Sequence, residues 1–260
     1  MKQLVLAGAV CVAIAAPITA SAQATAAPAA PASPHTVTGN FAVVSDYRFR
    51  GISQSAMGPA VQGGIDYSHS SGFYLGNWNS SVTSDSFNDA AGIEMDFYGG
   101  FKIPVGDITF DIGGLYYYYP NAETSTGREK YNTFEAYVGA AYGPFSAKIW
   151  YAVTDWFGVN DDSGGEDSDG SIYYELNATF PLADKWSLVG HVGYQDVEDN
   201  EYANGDLDYF DWKIGVVYDW SGWMLGAAVV GSNADDDLYV VDGDDETGNT
   251  TVVFSVSKTF

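Results

Sequence analysis

Apolar and polar residues alternate along most of this chain, and the alternation divides into segments of strand length. In 41–49, Phe41, Val43, Tyr47 and Phe49 share one face, while Asn40, Asp46, Arg48 and Arg50 share the other. The same period of two runs through 93–103, 108–112, 134–140, 145–153, 172–180, 186–194 and 210–220. In the last of these, Phe210, Trp212, Ile214, Val216, Tyr218 and Trp220 oppose Asp211, Lys213 and Asp219. One apolar and one polar face is the signature of a half-buried strand. Weaker segments at 60–68, 73–81, 223–232 and 250–260 complete a set of twelve predicted strands; the pattern does not fix which face of 73–81 is the apolar one.

The connections sort by length. Tight turns lie at 70–72, 104–107, 143–144, 181–185 and 221–222, and long segments lie at 51–59, 82–91, 120–131, 157–170, 196–208 and 233–249. Short and long alternate strictly, which a soluble sandwich does not require. A bacterial outer-membrane barrel does, with an even strand number, short periplasmic turns and long external loops. In lipid every backbone N–H and C=O must pair, so a sheet that spans a membrane closes on itself. Aromatics gather beside the short turns (Phe73, Phe101, Phe145, Phe180, Trp186, Trp220 and Trp223), as an interfacial girdle would. The chain ends "VVFSVSKTF", with Phe254, Val256 and Phe260 on one face, which resembles the C-terminal assembly signal of outer-membrane barrels. Lys258 on that face departs from the pattern and is expected to snorkel. The expected fold is therefore all-β: a transmembrane antiparallel barrel of twelve strands.

The N-terminus agrees with that compartment. Lys2, an apolar run from Leu4 to Ala16 and "ASA" at 20–22 read as a secretory signal over 1–22, cleaved after Ala22. The apolar run is too short to span a bilayer. Residues 23–35 are Ala- and Pro-rich with no period and read as a disordered periplasmic tail. The barrel is expected over 36–260. The one cysteine, Cys11, leaves with the signal, so no disulfide or thiol chemistry is expected. Ten Lys and Arg stand against 34 Asp and Glu, and loss of Lys2 takes the net charge from −24 to −25. So acidic a surface excludes nucleic acid as a partner.

The stretch "SDYRFRGISQS" (45–55), followed by "PAVQGGIDYSHSSGFYLGNW" (59–78), resembles the opening of TorF-type porins, a family of proteobacterial outer-membrane proteins. The resemblance extends over the mature chain through its Gly-aromatic hairpins and terminal Phe. It implies a porin-like barrel in the outer membrane of a Gram-negative bacterium, and no substrate or catalytic residue.

Candidate chemistry lies on the polar faces. Arg48, Arg50, Asp66, Glu94, Asp96, Glu135, Lys148, Glu175, His191, Asp211 and Lys213 are expected to line the pore, with Asp46, Lys102, Asp111 and Asp219 on the same faces. Strand 41–49 would set Arg48 and Arg50 at the height of Glu94 and Asp96 across the lumen, as a charged constriction. The alternative is an ion-pair network that fills a narrow barrel. Tyr117, Tyr119, Tyr137, Trp150, Trp156 and Tyr173 are expected inside or at the rim, as a stacking track or as packing. The segments 160–170, 196–208 and 233–249 hold five, six and seven acids, 18 of the 34, and could bind divalent cations at a lipopolysaccharide surface, though none has the EF-hand spacing. The three histidines stand apart as His35, His69 and His191, and no G-x-S-x-G or H-E-x-x-H occurs, so neither an enzyme nor a cofactor is expected. The expected function is passive diffusion of small hydrophilic solutes or ions with mild cation preference; the rival is a non-conducting barrel with a structural or surface role. Expected partners are outer-membrane lipid, lipopolysaccharide and the barrel-assembly machinery.

Overall fold

A computed structural model describes residues 33–83, 91–123, 130–160, 167–198, 201–202, 205–241 and 245–260. The expected signal and all but the end of the tail lie outside these residues. Twelve long strands close into one antiparallel barrel in chain order: β1 (His35–Val44), β2 (Ala60–His69), β3 (Phe73–Ser81), β4 (Ile93–Val105), β5 (Ile108–Tyr118), β6 (Thr133–Tyr142), β7 (Phe145–Ala152), β8 (Ile172–Ala183), β9 (Trp186–Asp196), β10 (Tyr209–Trp220), β11 (Trp223–Ser232) and β12 (Thr251–Thr259). β1 pairs with β2 on one side and with β12 on the other, which completes the ring. No helix among the described residues is long and apolar enough to cross a membrane.

The strands turn a row of large apolar residues outward. Phe97, Phe101, Ile112, Val138, Ile149, Leu176, Val192, Ile214 and Phe254 are all exposed on the outer wall. This is the reverse of a water-soluble protein and suits a wall solvated by lipid. The girdle forms at the turn end, where Phe73 meets Phe101 at 5.3 Å between ring centroids and Phe145 meets Phe180 at 5.6 Å. Lys258 places its ammonium 5.0 Å from the Trp223 ring on the same outer face. Asn77 and Asn79 also face outward on β3; their amides bond to each other and to the backbone carbonyls of Asp96 and Gly63, which satisfies them without water.

Two strand boundaries correct the sequence expectation. His35 belongs to β1, opposite His69, and not to the tail. More consequentially, β1 ends at Val44, so 45–49 does not continue the wall.

Phe260 closes the chain against β1: Gly39 and Phe260 exchange backbone hydrogen bonds of 2.7 and 2.9 Å. The ring lies where a Gly39 side chain would stand, since an added Cβ would come within 2.8 Å of it. Deleting Phe260 is expected to reduce the amount of protein inserted in outer membranes without changing its synthesis. Comparing boiled and unboiled membrane fractions on a gel would measure this, and unchanged insertion would remove the targeting role.

The lumen, its inward hairpin and the cavity beneath

Twelve strands fall between the small barrels that side chains fill and the larger ones that hold an aqueous channel. This interior is divided accordingly. Along β2–β6 it is packed: Trp78, Tyr98, Leu115, Tyr117, Tyr119 and Tyr137 are buried there, joined by Trp150 of β7. Wall glycines make the room. A Cβ on Gly76 would come within 2.2 Å of the Tyr98 ring, and one on Gly113 within 2.5 Å of the Tyr137 hydroxyl. The inward carboxylates bind these phenols. Tyr98 donates to Asp66, Tyr74 to Asp111 at 2.6 Å and Tyr117 to Glu135 at 3.0 Å, while Asp66 also accepts from Asn40.

Residues 45–58 fold back into this space. Arg48–Phe49 pairs with Ile52–Ser53 as a two-residue hairpin, turned by Arg50 at φ 47° and Gly51 at φ 82°. A non-glycine residue at positive φ costs about 1–2 kcal/mol, so tertiary contacts must hold Arg50 there. They are plain. Arg50 donates from Nη2 to Glu135 Oε2 at 2.6 Å and from Nη1 to Gln195 Oε1 at 2.8 Å. Its guanidinium also lies 4.1 Å from the Tyr173 ring centroid. Arg48 pairs through Nε with Asp46 at 2.5 Å and donates from Nη1 to the carbonyls of Gly51, Thr247 and Asn249. Asp46 accepts in turn from Ser53 and Ser55, which ties the hairpin to its own stem.

The arginine pair therefore sits inside the barrel, but not as the alternation implied. Tyr47 and Phe49 do not meet lipid; they are buried in the lumen, where Tyr47 donates to Glu94 at 2.9 Å and packs on Trp78, and Phe49 packs on Tyr117. Arg48 and Arg50 do not face Glu94 and Asp96. Their carboxylates are Asp46 and Glu135, while Glu94 and Asp96 lie buried behind the hairpin, opposite Ser80 and Trp78 of β3.

A second segment meets the hairpin from the far wall. Phe157, in the loop after β7 and also at positive φ (47°), touches Phe49, Tyr117, Tyr119 and Trp156 with its ring. Trp156, Val197 and Leu207 form a small cluster at the loop end, with Leu238 and Tyr239 against it. Burial holds the Tyr239 hydroxyl well above the ordinary tyrosine range, so it stays protonated and donates to the Leu207 carbonyl at 2.7 Å.

The side of β7–β12 is less filled. A cavity of about 310 Å³ lies against the hairpin and reaches Lys148, Glu175, His191, Asp211 and Lys213. Lys148 is 3.4 Å from Asp111 and lies against the rings of Tyr137 and Trp150. His191 contacts Asp211 and Tyr173 through Nε2 and Asn177 through Nδ1, so both ring nitrogens are engaged in the wall. Among the described residues, no group of three or more His, Cys, Asp and Glu side chains could hold a metal ion. Much of the acidic loop sequence (161–166, 199–200, 203–204 and 242–244) lies outside the described residues.

The sequence model of a family described as "Bacterial protein of unknown function (Gcw_chp)" matches residues 28–260. Among solved structures, the barrel is similar to the KdgM porin at 8% identity and a TM-score of 0.51, over 86% of this chain and 98% of that one. It is similar to the NanC porin at 13% identity and a TM-score of 0.51, over 86% and 99%. At these identities the likeness is one of fold. No curated protein matches the chain.

Proposed function

The chain belongs to the Gcw_chp family, bacterial proteins of unknown function, and we propose that it is a porin-like, non-enzymatic channel of the Gram-negative outer membrane. It would pass small hydrophilic solutes or ions beside the inward hairpin. The observation that carries this reading is the pairing of an apolar outer wall with a charged interior that keeps a 310 Å³ cavity against the constriction. Such a barrel has its turn end in the periplasm and its long loops outside. The terminal strand would address it to the assembly machinery, and its outer wall would meet lipid and lipopolysaccharide. The resemblance of 45–78 to TorF-type porins supports the same reading.

Ion preference follows from the mouth more than from the cavity. Asp155, Asp167, Asp169, Asp206, Asp208, Asp235, Asp236 and Asp237 stand in the loop segments, and an acidic rim of this kind concentrates cations at the entrance. The lining of the cavity is mixed, with Arg48, Arg50, Lys148 and Lys213 against Asp46, Glu175 and Asp211. Mild cation preference is the balance of the two.

Recording single-channel currents from the purified protein across a KCl gradient tests the reading. The wild type is expected to give small steps with a reversal potential on the cation side. Replacing Arg48 and Arg50 together by serine should raise both the conductance and the cation preference, since it removes two cations and the bond to Glu135. The rival, a non-conducting barrel, draws on the aromatic packing of Phe49, Phe157 and Tyr117 across the lumen. A silent wild type and a silent double variant would favour it.

A further inference from the structure

We propose that Glu94 and Asp96 share one proton and so form a latch that holds the inward hairpin against the wall, and that loss of the proton frees the hairpin. For its effect on conduction the latch rests on the channel reading.

Glu94 and Asp96 stand two residues apart on β4, so their side chains share its inward face. Their exposures are 0% and 1%. The two carboxyls hydrogen-bond to each other. Glu94 Oε2 and Asp96 Oδ1, both buried, receive no hydrogen bond from any N–H or O–H among the described residues. Two bare carboxylates only accept, so a bond between them needs a proton on one. Like charges in contact in a buried site do not both ionise. One shared proton supplies the donor that both orphaned oxygens lack.

The other groups around the pair are Trp78 and Ser80 of β3, the phenols of Tyr98, Tyr117 and Tyr119, and Glu135, which Arg50 neutralises. None of the six is a cation that could stand in for the proton. The hairpin closes the remaining side: Tyr47 donates to Glu94 at 2.9 Å and packs on Trp78 at 5.5 Å between ring centroids. Without the proton, two adjacent carboxylates would be left buried, a state that water must enter to relieve. Ladders fix β3, β4 and β5, so the cover that can move is the hairpin, with Tyr47 as the contact that water displaces. Its departure widens the constriction.

Single-channel recording from about pH 5 to about pH 9, a span that covers buried carboxyls, tests the latch. Wild-type conductance is expected to rise about twofold or more across it. The double variant Glu94→Gln, Asp96→Asn keeps an amide-to-amide hydrogen bond with no proton to lose, and should show no such rise; its gel shift on boiling confirms that it folds. A flat wild type, or an equal rise in the variant, overturns the proposal while leaving the channel intact. Infrared difference spectra at the acid end should show a carboxylic-acid C=O band that the variant lacks, and its absence also overturns the proposal. If neither protein conducts at any pH, the channel reading fails and access to the hairpin decides the latch. The probe is Ser53→Cys, at a hairpin position that is 1% exposed, placed in both backgrounds. Its labelling by an aqueous maleimide should quicken with pH more in the wild-type background than in the double variant. Equal labelling overturns the latch.

Discussion

Trp150→Ala is expected to destabilise the barrel by about 3–5 kcal/mol, the usual loss for a large buried aromatic. Trp150 is 2% exposed and packs on Tyr137 at 4.5 Å between ring centroids. It also donates to Glu175 and carries the Lys148 ammonium against its ring. Two effects oppose each other here. Truncation removes all of these contacts and strands Glu175 with one donor fewer. Against that, the site borders the open cavity, so water can enter the space and the loss should fall in the lower half of the range. The same water widens the path, and conductance should rise. Urea unfolding of the protein in lipid vesicles, followed by the gel shift on boiling, gives the energy. A loss below about 1 kcal/mol would mean that the packed half of the lumen contributes little to stability.

The second expectation concerns the other face. Ile214 is 54% exposed on the outer wall, near the middle of β10, beside Val229 of β11. Arginine there should cost about 2–4 kcal/mol, the range for a cation at the bilayer midplane of a barrel. The same substitution at Ser146, which lines the cavity, should cost less than about 1 kcal/mol and shift ion selectivity instead. The comparison uses one chemistry at two parities, so side-chain size cannot explain the difference. Equal losses at both positions would show that inside and outside have been assigned wrongly.

Strand positions were legible because burial against lipid imposes period two wherever the wall spans the membrane. The stretches 73–81 and 223–232 match β3 and β11 at both ends. The face of β3 was not legible, because Asn77 and Asn79 point into lipid with amides that bond to backbone, a solution alternation cannot reveal. The failure at 45–49 has a different cause. The hairpin is extended, so it alternates too, and Tyr47 and Phe49 look the same in sequence whether they meet lipid or a packed lumen. The partner of Arg50, Glu135, is 85 residues away, and only the rotation of the hairpin into the barrel brings them together. Phe157 gave no signal at all, since one aromatic in a loop carries no period.

The seam between β1 and β12 has a consequence for how the barrel forms. β1 pairs with β2 from His35 to Val44, but with β12 only from Asn40 to Val44 against Thr259 to Ser255, with the Gly39–Phe260 exchange beyond. Every other barrel pairing joins strands that follow one another in the chain, whereas this one joins its two ends. Its loop-closure cost is thus the largest in the molecule and its pairing among the shortest. Closure should accordingly be the slow, final step of assembly, and an arrested barrel should be an open sheet with β1 and β12 as its free edges.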